Sequence, residues 1–386
     1  MSPFLRRFIL LGVLALAACS SDKPKEVKAR PVPKVSHPEW RIVEDASFHM
    51  GHGNGAEFVL LRPAFSARWM VAASADGWVS AYGRQHGRRH WRVSLATPLS
   101  SGVATGYGLV VVGARDGRLL ALALDDGHRL WTAKLPAAPM SLPLVTAEHV
   151  FVACNDGSIE AIDPKTGTRQ WVSSSEVPSL TLRGMATPFL LDHALFQGAG
   201  NGRLLALDPD NGQLIWDARI GDNEGRTEIE RMNDVDGDLV MDADTLYVVS
   251  YHGGLAAIDP QTGKHRWEYK VSSWQPLAYG LGNVYVVTEN SSIEAIDTQT
   301  GKSVWRQNDL RGRHITAAVV VHGVLLVADD QGWVYALSQI DGHWLAKEHF
   351  YHTKGFLAPP AVDANEVLVQ ARSGRVISLH LQQVRP

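Results

Sequence analysis

Cysteine is almost missing from this sequence: 386 residues hold only Cys19 and Cys154. No disulfide framework is expected from so few thiols. Charge of a single sign is missing too. Lys and Arg number 37 against 40 Asp and Glu, for a formal net charge of −3 with no dominant acidic or basic block. That balance gives a nucleic-acid backbone nothing to bind, so no nucleic-acid partner is expected. The chain has no nucleophile elbow, no phosphate-binding glycine loop in a βαβ context and no paired catalytic carboxylates. Its 16 histidines include His49 with His52 and His349 with His352, but neither pair has further ligands at a recognisable spacing. Asp234-Val-Asp236-Gly-Asp238 loosely resembles a calcium loop yet lacks the later glutamate. Neither a cofactor nor a metal site is expected, and no enzyme.

The one strongly apolar stretch is at the start. Arg6 and Arg7 precede the run Phe8 to Ala15, followed by Leu16-Ala17-Ala18-Cys19. The run is too short to span a bilayer, so residues 1–18 read as a cleaved export signal. Leu-Ala-Ala-Cys resembles the bacterial lipobox, which implies lipidation of Cys19. Each buried acyl CH₂ contributes about 0.8 kcal/mol, so several chains on one cysteine hold a protein at a membrane. Residues 19–37 read as a flexible tether: the stretch Ser20 to Pro38 carries four prolines and no large apolar side chain beyond isolated valines. Such a length reaches roughly 25 Å on average. Cys154, inside Val150-Phe-Val-Ala-Cys154, is expected as a buried free thiol.

From residue 38 to 386 one unit recurs. Asp156-Gly157-Ser-Ile-Glu-Ala161-Ile-Asp163-Pro-Lys-Thr-Gly167-Thr-Arg-Gln-Trp171 is a complete copy. The alanine or its equivalent falls at 81, 121, 161, 206, 257, 295, 336 and 378, eight units about 42 residues apart. In six copies a tryptophan follows ten residues later; Ala346 replaces it in the seventh, and the eighth copy stops early. Each unit reads as four short strands. A β-branched run comes first, then an Asp-Gly type turn, an Ala-hydrophobic-Asp strand, an Asp-Pro-x-Thr-Gly Asx-turn and the tryptophan strand. The expected fold is all-β: an eight-bladed β-propeller of four-stranded antiparallel blades. A parallel β-helix is the weaker structural alternative, since its repeats are shorter. The unpaired segment Pro38 to Val43 is expected to close the ring as the fourth strand of the last blade, with Trp40 as the missing tryptophan. The repeated tryptophans are expected to be scaffold, packing against the small residues of another blade.

Two resemblances follow from these units. The pattern Ala-x-Asp-x-x-Thr-Gly-x-x-x-Trp resembles quinoprotein alcohol dehydrogenases, eight-bladed propellers that hold pyrroloquinoline quinone and calcium. Those enzymes are larger and typically carry a vicinal disulfide, whereas this chain has no Cys-Cys pair and no catalytic insertion. A resemblance over nearly the whole chain is to the BamB family, propeller lipoproteins of the outer-membrane β-barrel assembly machinery. It rests on the lipobox, the tether, the repeats, Ser179-Leu-Thr-Leu-Arg-Gly184 and Thr227-Glu-Ile-Glu-Arg-Met-Asn-Asp-Val-Asp236. It implies a non-catalytic scaffold, lipid-anchored at the outer membrane of a Gram-negative bacterium and facing the periplasm. It also implies binding of a BamA-like barrel subunit through Leu180, Leu182, Arg183, Asp234 and Asp236. Presentation of strand edges to unfolded outer-membrane proteins is a more speculative extension. The alternatives are a periplasmic quinone-dependent dehydrogenase and another adaptor propeller, including a peptidoglycan-associated one.

The unit spacing agrees on placement. Leu180 to Arg183 follow Trp171, and Asp234 with Asp236 follow Trp216, each in the connection to the next unit. Equivalent connections of a propeller emerge on one face, so the five residues are expected side by side. Exposed leucines beside an arginine and two carboxylates suit a protein interface, apolar contact for affinity and charge for register. The alternative is an internal salt bridge of Arg183 with Asp234 or Asp236.

Overall fold

Short β-branched and apolar runs, broken by residues that tolerate positive φ, dictate short antiparallel strands; inner ones such as Leu109–Ala114 are buried throughout, and outer ones such as Arg169–Ser174 alternate. In the computed structural model the described residues are 28–53, 59, 61–85, 87–178, 186–221 and 232–384. They form eight four-stranded antiparallel sheets, with successive strands adjacent in each. Blade 3 is typical: Leu144–Val145, Val150–Ala153, Ser158–Ile162 and Arg169–Ser174. The first strands of consecutive blades approach one another around the ring, so they are innermost. The buried apolar residues divide into eight clusters, one in each joint between adjacent blades. A propeller's core is therefore a set of wedges.

The Ala–Trp spacing is a cross-strand pair. Ala81 lies opposite Trp91, Ala121 opposite Trp131 and Ala161 opposite Trp171, each just before a bulge. The ring then reaches into the next blade. A Cβ on Gly127 would sit 2.6 Å from the Trp91 ring, and Gly127 has φ +77°, so the position requires glycine twice over. The indole N–H donates to a carbonyl of the same turn, Trp91 to Leu124 and Trp131 to Pro164, each at 2.8 Å. Trp171, Trp216, Trp267 and Trp305 repeat this with Pro209, Pro260, Thr298 and Gln339. The receiving turn is shaped by its aspartate: Asp163 Oδ1 accepts the N–H groups of Lys165 and Thr166 at 2.8 Å, which hold its carboxyl below the usual range. Burial of one such ring contributes at most about 4–6 kcal/mol. The tryptophans are latches between blades.

Closure comes from the N-terminal strand Trp40–His49, which pairs with Arg375–Gln383 as the outermost strand of blade 8. The register corrects one expectation. Ser378, the alanine equivalent, faces Ala46, whereas Trp40 lies opposite Gln383. Ala46 packs against Gly87 of blade 1, where a Cβ would come within 2.8 Å. That joint is held instead by Arg84 of blade 1, paired with Asp363 and Glu366 of blade 8. Trp40 and Ile42 turn the other way, onto the cluster around Ala346 and Leu345 of blade 7. Blade 8 has no covalent turn between its last two strands, so nothing there receives a tryptophan from blade 7. The absence of one at Ala346 follows.

Part of the expected tether is also ordered on the propeller. The Arg30 N–H donates to Arg311 O at 3.0 Å, and its carbonyl accepts from Arg313 Nη1 at 3.1 Å. Lys347 Nζ donates to the carbonyl of buried Pro33 at 2.8 Å. The Glu39 N–H donates to Leu345 O at 3.1 Å, so the segment runs along the outer strand of blade 7 and covers its edge. Arg313 itself is buried in an ion pair with Asp329 at 2.7 Å, which also accepts the Tyr335 hydroxyl at 2.8 Å. Residues 1–18, expected to be a cleaved signal, and Cys19, expected to be lipidated, lie outside the described residues. Cys154 is fully buried and free, and burial pushes its thiol up to about 12, leaving it unreactive.

Candidate functional site

Strand order settles which loops share a face. Turns between the first and second and between the third and fourth strands lie at one end of the disc; the connections between blades lie at the other. The connection from blade 3 to blade 4 runs between Arg169–Ser174 and Phe189–Leu191, and that from blade 4 to blade 5 between Leu214–Arg219 and Val240–Asp242. Both emerge on the same face. Leu180, Leu182 and Arg183 lie outside the described residues, as does 222–231 of the second connection. The flanks are defined, and they touch: the Thr187 N–H donates to Asp238 Oδ1 at 2.8 Å. One hydrogen bond therefore ties the end of the first connection to the end of the second.

Residues 233–238 lead from the connection into the first strand of blade 5, Val240–Asp242. Asn233 is buried, and its Nδ2 donates to Ile220 O at 2.8 Å. Asp234 forms a bridge with Tyr251, its carbonyl accepting the Tyr251 N–H at 2.9 Å. Val235 is fully buried between blades 4 and 5, pressed on Gly198, where a Cβ would meet the Val235 carbonyl oxygen at 2.3 Å. A fully buried valine on one side and a backbone bridge on the other draw Asp234 inward. It is 1% exposed, so the expectation of an exposed carboxylate here is corrected: Asp234 anchors the connection from inside.

The three aspartates at alternate positions occupy three environments. Asp236 is half-buried, with an Oδ2 that has no hydrogen-bond partner. Burial, and next the Asp234 carboxylate, push its carboxyl up to about 8, so at neutral pH it is mostly protonated. Asp238 Oδ2 meets Arg62 Nη1 at 3.4 Å, both about one-quarter exposed. Arg62 precedes the first strand of blade 1, so this pair spans the central channel near its mouth. Tyr251 stacks on His252 with centroids 3.9 Å apart, and burial raises its phenol. Among the described residues the calcium-like spacing does not gather the three carboxylates into one ligand group: Asp234 is tied to Tyr251 and Asp238 to Arg62 and Thr187. Arg62 and Tyr251 carry no local sequence signal, since they come from other turns of the ring. Asp238 was visible only as part of the Asp-x-Asp-x-Asp spacing.

One oxygen of the Asp236 carboxyl is sealed from solvent and has no hydrogen-bond partner, so a compensating cation has to reach its other oxygen. Ionisation near neutral pH is unfavourable without one and favourable with one. No group of catalytic type converges on it among the described residues.

Comparison with known proteins fits this architecture. The sequence model of the family described as "Outer membrane protein assembly factor BamB" matches residues 75–307 and 289–383. The outer membrane protein assembly factor BamB of Yersinia pestis is 31% identical over 388 residues, covering 96% of this chain and 98% of that protein. That of Pseudomonas aeruginosa is 34% identical over 370 residues, covering 96% and 97%. The crystal structure of BamB from Moraxella catarrhalis superposes with a TM-score of 0.81 at 27% identity, covering 88% of this chain and all of that one. A quinohemoprotein alcohol dehydrogenase from Pseudomonas putida shares the fold alone, with a TM-score of 0.72 at 15% identity over 90% of this chain and 78% of that one. The family's name is that of an assembly factor and not of a catalyst. The chain belongs to the BamB family of outer membrane protein assembly factors.

Proposed function

We propose that the face formed by the connections from blade 3 to blade 5 grips a BamA-like barrel subunit, with the chain held at the outer membrane by lipid on Cys19 and facing the periplasm. The observation that carries this reading is the Thr187–Asp238 hydrogen bond, which makes the two connections one surface. Leu180 and Leu182 supply apolar contact, and Arg183 supplies charge. Asp236, half-buried, is the carboxylate of the pair that still meets the surface, while Asp234 holds the end of the connection from within. Rigidity limits the entropy lost on binding. Strand addition by unfolded outer-membrane proteins is a lesser part of the proposal. The described N-terminal segment covers the outer edge of blade 7, so any such addition uses other blades.

The test is capture of the barrel subunit from detergent-solubilised membranes by wild type and by Arg183→Glu, with melting curves to confirm folding. Charge reversal is expected to reduce capture at least tenfold. Undiminished capture by a folded variant rejects the interface.

A further inference from the structure

On the opposite face, blades 3 and 4 bring together a group that no sequence spacing announces. Glu148 and His149 lie in the turn before the strand Val150–Ala153 of blade 3, and Asp210 in the turn between Arg203–Leu207 and Leu214–Arg219 of blade 4. One ligand atom from each of the three comes within 4.8 Å of the others.

The histidine is held for this arrangement. Its side chain is 11% exposed, its ring lies 5.0 Å from that of Phe151, and its Nδ1 is 2.5 Å from Gln170 Oε1. An amide oxygen only accepts, so Nδ1 carries the proton and Nε2 keeps its lone pair. Nε2 then faces Asp210 Oδ1 at 3.4 Å. With the Gln170 oxygen accepting from Nδ1, this opposition of a lone pair and a carboxylate favours a cation between them, a metal ion or a proton.

We propose that Glu148, His149 and Asp210 bind a divalent transition ion of the zinc class. An imidazole nitrogen with two carboxylates suits zinc, with bonds of about 2.0–2.2 Å and water completing the shell. Calcium and magnesium prefer all-oxygen sites. The Gln170 oxygen takes the outer role that orients a ligating imidazole. Glu148 and Asp210 are exposed side chains and close the remaining distance by rotation. The ion clips blade 3 to blade 4 beside the latch in which Trp171 Nε1 donates to Pro209 O at 2.8 Å. It thus braces the joint whose other end carries the connection proposed to bind the partner. The expectation of no metal site rested on spacing within one stretch of chain, and this site draws on two.

Calorimetric titration of tag-free, full-length protein with zinc chloride, and separately calcium chloride, tests it in wild type, His149→Asn and Asp210→Asn. Wild type is expected to bind one equivalent of zinc that each variant binds at least tenfold more weakly, with no calcium at this site. Its melting temperature is expected to rise about 3 °C at a hundredfold excess of zinc over Kd. Equal zinc affinity and stoichiometry in wild type and Asp210→Asn overturns the proposal, since uptake then belongs to other histidines. Absence of zinc uptake by wild type overturns it too, because the bridging cation is then a proton. Asp210 is exposed, so that variant remains informative if His149→Asn fails to fold.

Discussion

The turns between third and fourth strands and the connections between blades leave the disc at opposite ends, and they are built by different rules. At the first end, six joints repeat one contact: an indole on a glycine, its N–H on a carbonyl of the same turn. At the second end, the connections differ from blade to blade, and their polar groups are tied by single-use contacts such as Arg62–Asp238 and Thr187–Asp238. Repetition maintains the ring. Irregularity is where a partner is distinguished from any other protein, because a surface repeated eight times has no unique register.

The comparison breaks hardest at the ring's seam. Deleting residues 38–46 removes most of the closing strand together with Ala46 and exposes the edge of blade 8; complete cooperative unfolding is expected by circular dichroism. Next, Trp171→Ala should cost about 3–5 kcal/mol in chemical denaturation, the range for truncating a buried indole. Arg313→Ala should cost about 3 kcal/mol, because it leaves Asp329 buried and unpaired, and it should speed proteolysis around Arg30.

A smaller effect, opposite in sign, is expected at Asp236. Its carboxyl titrates near 8 in the folded chain against about 3.9 when unfolded. Between these values the folded state binds the extra proton, so stability falls as pH rises from about 4 to about 8. Asp236→Asn removes that loss. Its melting temperature should match wild type at pH 4, exceed it increasingly with pH, and level off above pH 8. The gain is of order 2 kcal/mol, below the full conversion because the surroundings relax around a buried charge. A gain of the same size at pH 4 contradicts the assignment.

What the sequence revealed follows the same division. The eight alanine positions, the blades and the Asx-turns were legible because each is set by local chemistry repeated along the chain. Trp40 was misplaced because a lone tryptophan before an incomplete repeat looks like the missing one. Its place depends on blade 7, which has no turn beyond it to receive an indole. The prolines of residues 30–33 suggested a tether, yet the Pro33 carbonyl accepts from Lys347 and the Arg30 carbonyl from Arg313. The burial of Asp234 was invisible because charge argues for the surface, while the Val235 wedge and the Tyr251 bridge draw it inward.

The most direct test places a photo-crosslinking amino acid at position 182, in the connection between blades 3 and 4, or at position 166, in the blade 3 turn at the other end of the disc. Crosslinking to the barrel subunit in intact cells is predicted from 182 and not from 166. Equal crosslinking from both, or from 166 alone, contradicts the claim that the irregular end of the disc is the one that binds.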